Sequence, residues 1–219
     1  MTSRLEATAP RPDPCAVTPD DDPVIALVCS AGGLKALTRI LEPLPPDLPA
    51  VVIALQHLPP DHLGMLAGIL ARTCRLKVVT ASQGGPLRRG TVYVAPPGRH
   101  TLVTPDRTLA VVEAGQYPPY RPSADLLLTS LALSCRDRAI AVVLSGKGVD
   151  GATGATVVHD FGGTVIAADQ ASSEHFAMPA AAIARDDAVD YVLPVDRIAT
   201  VLQQLVSAES TGDRRSVAP

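Results

Sequence analysis

Short apolar runs alternate along this chain with stretches in which apolar residues recur every three or four positions. The runs are VIALVC (24–29), AVVIALQ (50–56), AIAVVLSG (139–146), GTVIAA (163–168) and DYVLP (190–194). Behind the first, Leu34, Leu37 and Leu41 share one helical face. Helices are expected from about Asp61 to Thr73, from near Gly151, and from Met178 to Arg185. A last one carries Val195, Ile198, Leu202 and Leu205. Runs that are apolar on both faces, with helices between them, predict a parallel sheet covered on both sides. Between residues 77 and 112 the rhythm changes to four short strands, KVVTA, TVYVAP, HTLVT and TLAVV. The segment TPDRT (104–108) carries the turn chemistry of an antiparallel hairpin. The expected fold class is α/β: a doubly wound, mostly parallel sheet with helices on both faces and an antiparallel hairpin excursion.

Composition narrows the class. With 219 residues, 47% hydrophobic and 19% charged, the chain can bury a sizeable core and reads as globular. Residues 1–23 hold five prolines and end in Asp20, Asp21, Asp22 and Pro23, the pattern of a disordered Pro-rich, acidic lead. The folded domain is expected over 24–206, and 207–219 reads as a flexible tail. A net charge of −3 gives no basic footprint for nucleic acid, and no apolar stretch reaches the roughly 20 residues of a membrane span. The opening residues lack a basic segment followed by an apolar one, so no secretory signal is expected. Cys15, Cys29, Cys74 and Cys135 are scattered with no CxxC pair, which disfavours zinc and a disulfide framework and points to a reducing, cytoplasmic compartment. Neither a metal nor a cofactor is expected.

Doubly wound sheets bind ligands beyond the carboxyl ends of their strands, and three polar groups stand there. Ser30 ends the first run on a glycine turn, His57 ends the second in LQHLPPDH, and Asp150 follows the run at 139–146 in SGKGVDGATG. A hydroxyl, an imidazole and a carboxylate at one sheet edge are what nucleophilic acyl transfer requires. Gly32, Gly33, Gly146 and Gly148 would let backbone N–H groups converge on an oxyanion. Each residue also has a plainer role: Ser30 and Asp150 as helix caps, His57 as a partner of a loop carbonyl. Strand alternation sends Cys29 to the face opposite Ser30 and into the core, away from any chemistry.

The motifs CSAGG, LQHLPPDH, YVAPPGRH, RPSADLLLTSLA, LSGKGVDGATG and AMPAAA occur in that order. On them the chain resembles the catalytic domain of the chemotaxis protein-glutamate methylesterase (CheB) family over about residues 24–206. The resemblance implies a Ser-His-Asp triad at Ser30, His57 and Asp150. It implies an oxyanion and substrate pocket drawn from Ala31, Gly32, Lys147, Gly148 and Arg121. It also implies hydrolysis of glutamyl methyl esters on the cytoplasmic helices of methylated receptors, with glutamine deamidation open to the same acyl chemistry. Three departures stand out: Ala31 where the family has Thr, Lys147 where it has Met, and Val28-Cys29 where it has Gly-Ala. They leave the triad intact and fall on the pocket lining. The family's phosphoacceptor receiver domain has no counterpart in these residues, so regulation by a separate protein is the expectation. Two other readings remain: a phosphate- or nucleotide-binding module, disfavoured because SAGGLK has neither GxGxxG nor Walker spacing, and a catalytically impaired family member acting as a protein-binding module.

Overall fold

The computed structural model describes residues 22–59, 61, 63–114, 120–185 and 187–211. The expectations for 1–21 and for the tail beyond 211 therefore lie outside the described residues. In chain order the elements are β1 (Val24–Cys29), α1 (Gly33–Leu41), β2 (Val51–Gln56), α2 (Leu66–Leu70), β3 (Lys77–Thr80), β4 (Thr91–Val94), β5 (Arg99–Val103) and β6 (Leu109–Glu113). There follow α3 (Ala124–Cys135), β7 (Ala139–Val143), α4 (Ala152–Asp160), β8 (Thr164–Ala168), α5 (Ala177–Ile183), β9 (Tyr191–Leu193) and α6 (Val195–Thr211).

Seven strands form one sheet in the order β3-β4-β2-β1-β7-β8-β9, with every neighbouring pair parallel. Strand β1 is buried throughout, and its side chains divide between the two faces as a pleated strand requires. Ile25, Leu27 and Cys29 pack in a core with Leu37 and Ile40 of α1, Leu70 of α2 and Leu202 of α6. Val24, Ala26 and Val28 pack in a second core with Leu127 and Leu131 of α3, Ala155 of α4 and Met178 of α5. The chain winds one way from β1 to β2 and the other way from β1 to β7. The gap between the carboxyl ends of β1 and β7 is therefore the switch point at which such sheets open a crevice.

Three differences from the sequence reading have physical causes. Of the four short strands between 77 and 112, only β5 and β6 make the antiparallel hairpin, whereas β3 and β4 extend the parallel sheet. No helix separates β3 from β4, so the usual crossover rhythm is absent there. Helix α2 covers five residues rather than the thirteen expected; Gly64, at φ +63°, departs from helical geometry and breaks the expected first turn. Helix α6 runs to Thr211, past the point where the flexible tail was expected to begin.

Candidate active site

The register of the central strands brings two of the three groups together. Cys29 pairs with Gln56, and the His57 amide donates to the Cys29 carbonyl at 3.0 Å, so Ser30 and His57 each follow directly on the ends of two paired strands. On the other side the Ser30 amide donates to the Ser145 carbonyl at 2.9 Å, tying the turn after β1 to the turn after β7. Gly146 is needed at this join: a Cβ there would sit 2.1 Å from Met178 Sδ and 2.9 Å from Ser30 Cβ.

The third group arrives from the start of α4. Asp150 is 2% exposed, and Oδ2 lies 2.8 Å from His57 Nε2, a bond that spans 93 residues of sequence. The same oxygen accepts the Ala124 amide at 2.6 Å. Oδ1 accepts the Asp125 amide at 3.0 Å and the Ser123 hydroxyl at 3.2 Å. Four donors thus fill the roughly four acceptor positions of one carboxylate. Asp150 does not cap its own helix, as the plainer reading supposed; it sits on the N-terminus of α3, where its charge suits the helix dipole. Burial pushes its pKa up, but the His57 hydrogen bond, the amides of Asp125 and Ala124 and the charge of His57 outweigh that, and the carboxyl titrates below its ordinary value.

With Nε2 committed to Asp150, the His57 ring nitrogen left for a proton from Ser30 is Nδ1. Ser30 Oγ makes no hydrogen bond among the described residues, an open arrangement common in sites without a substrate. Tyr120, which the sequence reading passed over, lies flat against His57 with ring centroids 5.2 Å apart and planes 19° from parallel. Its hydroxyl accepts the Val149 amide at 3.4 Å and fills the space over Gly148, where a Cβ would fall 2.5 Å from that oxygen.

The glycine turns supply fewer free amides than expected. Gly33 N–H is taken by the Ser30 carbonyl and Gly146 N–H by the His175 carbonyl, which removes both from the candidate oxyanion donors. The amides of Ala31, Gly32, Lys147 and Gly148 have no such partner among the described residues. Gly32 and Gly148 hold φ +76° and +94°, conformations that favour glycine. The Lys147 side chain is exposed and makes no ion pair among the described residues. The Arg121 carbonyl accepts the Leu58 amide at 3.2 Å. Its charge also opposes protonation of His100, whose pKa is lowered chiefly by burial against the opposing pull of Asp150. His100 Nδ1 accepts the Ser123 amide at 3.0 Å, so it supports the loop that reaches Asp150. Cys29 is buried, donates to the Leu55 carbonyl at 3.4 Å, and burial raises its thiol far above the ordinary value. Among the described residues no cluster of three His, Cys, Asp or Glu could hold a metal ion, and no helix is long and apolar enough to cross a membrane.

Ser123 and Asp125 lie within RPSADLLLTSLA, and their role is not evident from the sequence. Pro-Ser-Ala-Asp ahead of an apolar run signals a helix start; nothing local signals that a carboxylate 25 residues further on would dock against it.

Known proteins resemble this chain in sequence and in fold. The family model for CheB methylesterase matches residues 25–202. The chain is 42% identical over 182 residues to a protein-glutamate methylesterase/protein-glutamine glutaminase of Anaeromyxobacter dehalogenans, covering 83% of this chain and 53% of that protein. It is 38% identical over 188 residues to the protein-glutamate methylesterase FrzG of Myxococcus xanthus, covering 86% and 56%. The chain thus spans about half the length of these curated relatives. The crystal structure of the Thermotoga maritima CheB methylesterase catalytic domain superposes with a TM-score of 0.79 at 33% identity, covering 84% of this chain and 98% of that one. On fold, motifs and extent of match, the chain belongs to the CheB methylesterase family.

Proposed function

We propose that this chain is a serine esterase that hydrolyses glutamyl methyl esters on the cytoplasmic helices of methyl-accepting chemotaxis receptors, working in the cytoplasm under a separate regulatory protein. One observation carries the reading: the His57–Asp150 hydrogen bond at the sheet's switch point, with Ser30 and His57 following the paired ends of β1 and β2. Ser30 Oγ attacks the ester carbonyl as His57 Nδ1 takes its proton, and Asp150 balances the imidazolium. Negative charge gathering on the carbonyl oxygen meets the free amides around Gly32 and Gly148. His57 returns the proton to the leaving methoxide, and methanol departs from an acyl-Ser30. Water, deprotonated by His57, then releases the glutamate carboxylate and regenerates the serine. With a glutamine side chain the same steps release ammonia.

The relatives' names support this substrate class, and Tyr120 supports the base by screening the His57–Asp150 pair with a ring rather than with water. The test is methanol release from a methylated receptor cytoplasmic fragment, with ammonia release from its glutamine form measured in parallel. Turnover by the wild-type chain and none by Ser30→Ala, together with fluorophosphonate labelling of Ser30, is the expected result. Equal turnover by the two proteins would remove Ser30 from the chemistry. No turnover and no labelling of the wild-type chain would make it a binding module.

A further inference from the structure

A second carboxylate lies against Asp150 and takes no part in the steps above. Asp125, in the first turn of α3, accepts the Gly151 amide at 2.9 Å and the Gly154 amide at 2.7 Å, both on Oδ1. Its own amide donates to Asp150 Oδ1 at 3.0 Å. The two helix starts are therefore cross-capped: Asp150, from the start of α4, holds the amides of α3, and Asp125, from α3, holds the amides of α4. The contacts close a ring, because Gly151 is joined to Asp150 by a peptide bond.

We propose that Asp125 is a positioning residue for Asp150, fixing through its Oδ1 acceptor the turn that aims the Asp150 carboxylate at His57. This rests on the esterase reading. Gly151, directly after Asp150, holds φ +95°, so the turn departs from helical geometry and depends on outside partners to keep its shape. The two helices leave little room for an alternative arrangement. A Cβ at Gly154 would fall 2.6 Å from Leu128 Cβ and 3.0 Å from the Asp125 carbonyl oxygen. Asp150 has no spare acceptor position with which to hold itself if one donor moves. An error there passes directly to the imidazole, and a displacement of about 1 Å in such a group can cost a hundredfold in rate. Burial, set against the amides of Gly154 and Gly151 and joined by the charge of Asp150, leaves the Asp125 pKa raised. Its protonated form still presents an acceptor oxygen, so we place the positioning in the acceptor, which either protonation state offers.

The experiment separates reach from charge. Asp125→Asn keeps the length and the Oδ1 acceptor but removes the charge; Asp125→Glu keeps the charge but overshoots; Asp125→Ala removes both. The first readout is the downfield proton NMR resonance of the His57 ring N–H bonded to Asp150, assigned by its loss in Asp150→Asn. The second is kcat and KM for methyl-ester hydrolysis. Asp125→Asn should keep the resonance and kcat. Asp125→Glu and Asp125→Ala should lose or shift the resonance and lower kcat by roughly ten- to a hundredfold, with KM unchanged. If Asp125→Ala fails to fold, the Asn and Glu pair still decides. An unaltered resonance and kcat in Asp125→Glu, or loss of both in a folded Asp125→Asn, overturns the proposal. Ser30→Ala separates the two levels: it should abolish turnover and leave the resonance in place. Persistent turnover in Ser30→Ala refutes the esterase reading, and the resonance then still tests Asp125.

Discussion

Asp150→Asn is the substitution whose cost the geometry sets most directly. All four partners of the carboxylate are donors: the Asp125 amide and Ser123 hydroxyl on Oδ1, and the Ala124 amide and His57 Nε2 on Oδ2. Asparagine replaces one acceptor oxygen with an NH2, so whichever way it turns, two donors face a third. The Ser123 hydroxyl can rotate and the imidazole can change tautomer, but the two backbone amides cannot. At about 1–3 kcal/mol for each orphaned buried donor, the loss is about 1–6 kcal/mol, depending on which of the movable pair adapts. Catalysis suffers separately. A ring that changes tautomer presents an N–H to Ser30 where a lone pair is required, and the rate should fall about 10⁴-fold.

The pH dependence carries the sign of the shift. Asp150 is held below the ordinary carboxylate value when folded, so its contribution is present above the unfolded pKa of about 3.9 and is lost as pH falls through the folded value. Asp125 is shifted upward, so its contribution runs the other way: present below about 3.9 and lost as pH rises through its folded value. Urea unfolding of wild type and Asp150→Asn from pH 7 to pH 3 should show a gap in stability that narrows below about pH 4. A gap within about 0.5 kcal/mol of zero at pH 7, the range of a neutral surface change, would refute the four-donor account. So would a gap that stays constant across the range.

Ser30→Ala and His57→Ala should each remove most turnover in a folded protein, and the double variant should be little worse than Ser30→Ala alone; multiplicative losses would mean that the two do not act as a unit. Cys29→Ser should keep most of the turnover, because that thiol is buried on the α1 face and hydrogen-bonded to Leu55; abolition in a folded variant would move the nucleophile to sulfur. Tyr120→Ala should lower kcat by about twofold to tenfold, the worth of a stacked pair at about 0.5–1.5 kcal/mol, and Tyr120→Phe should not; equal losses would assign the effect to the hydroxyl that accepts the Val149 amide rather than to the ring. Lys147→Met should leave the pH profile of kcat/KM superimposable on wild type, since the side chain is exposed while its backbone amide is retained; a moved acidic limb at low salt would return the cation to the pocket.

The central strands were legible because burial on both faces writes itself into sequence as unbroken apolar runs, as in VIALVC and AIAVVL. β3 and β4 were harder to place. Each is four residues long, and whether a strand pairs in parallel depends on partners that local pattern does not encode. The hairpin turn at 104–108, by contrast, is set by its own residues. The same division holds at the site. Ser30, His57 and Asp150 could be proposed because a topological rule places strand ends at one edge. Tyr120 could not, because it lies outside every strand and meets His57 only through tertiary packing. The loss of Gly33 and Gly146 as free amides was also invisible, since a glycine's N–H carries no mark of its partner.

Strand β1 sits at the middle of the sheet, yet its two neighbours come from very different distances along the chain: Val24 lies beside Val51 on one side and beside Ala139 on the other. During synthesis, the first 113 residues can assemble β1 to β4 and the hairpin while the second edge of β1 stays open. That edge is apolar on both faces and carries a row of unpaired backbone groups, the form of surface to which another unfinished chain can add a strand. The nascent protein is thus most prone to aggregate in the interval before β7 emerges from the ribosome. Slowing translation while β7 is still inside the ribosome should lower soluble yield, whereas a pause after both β7 and α4 have emerged should not.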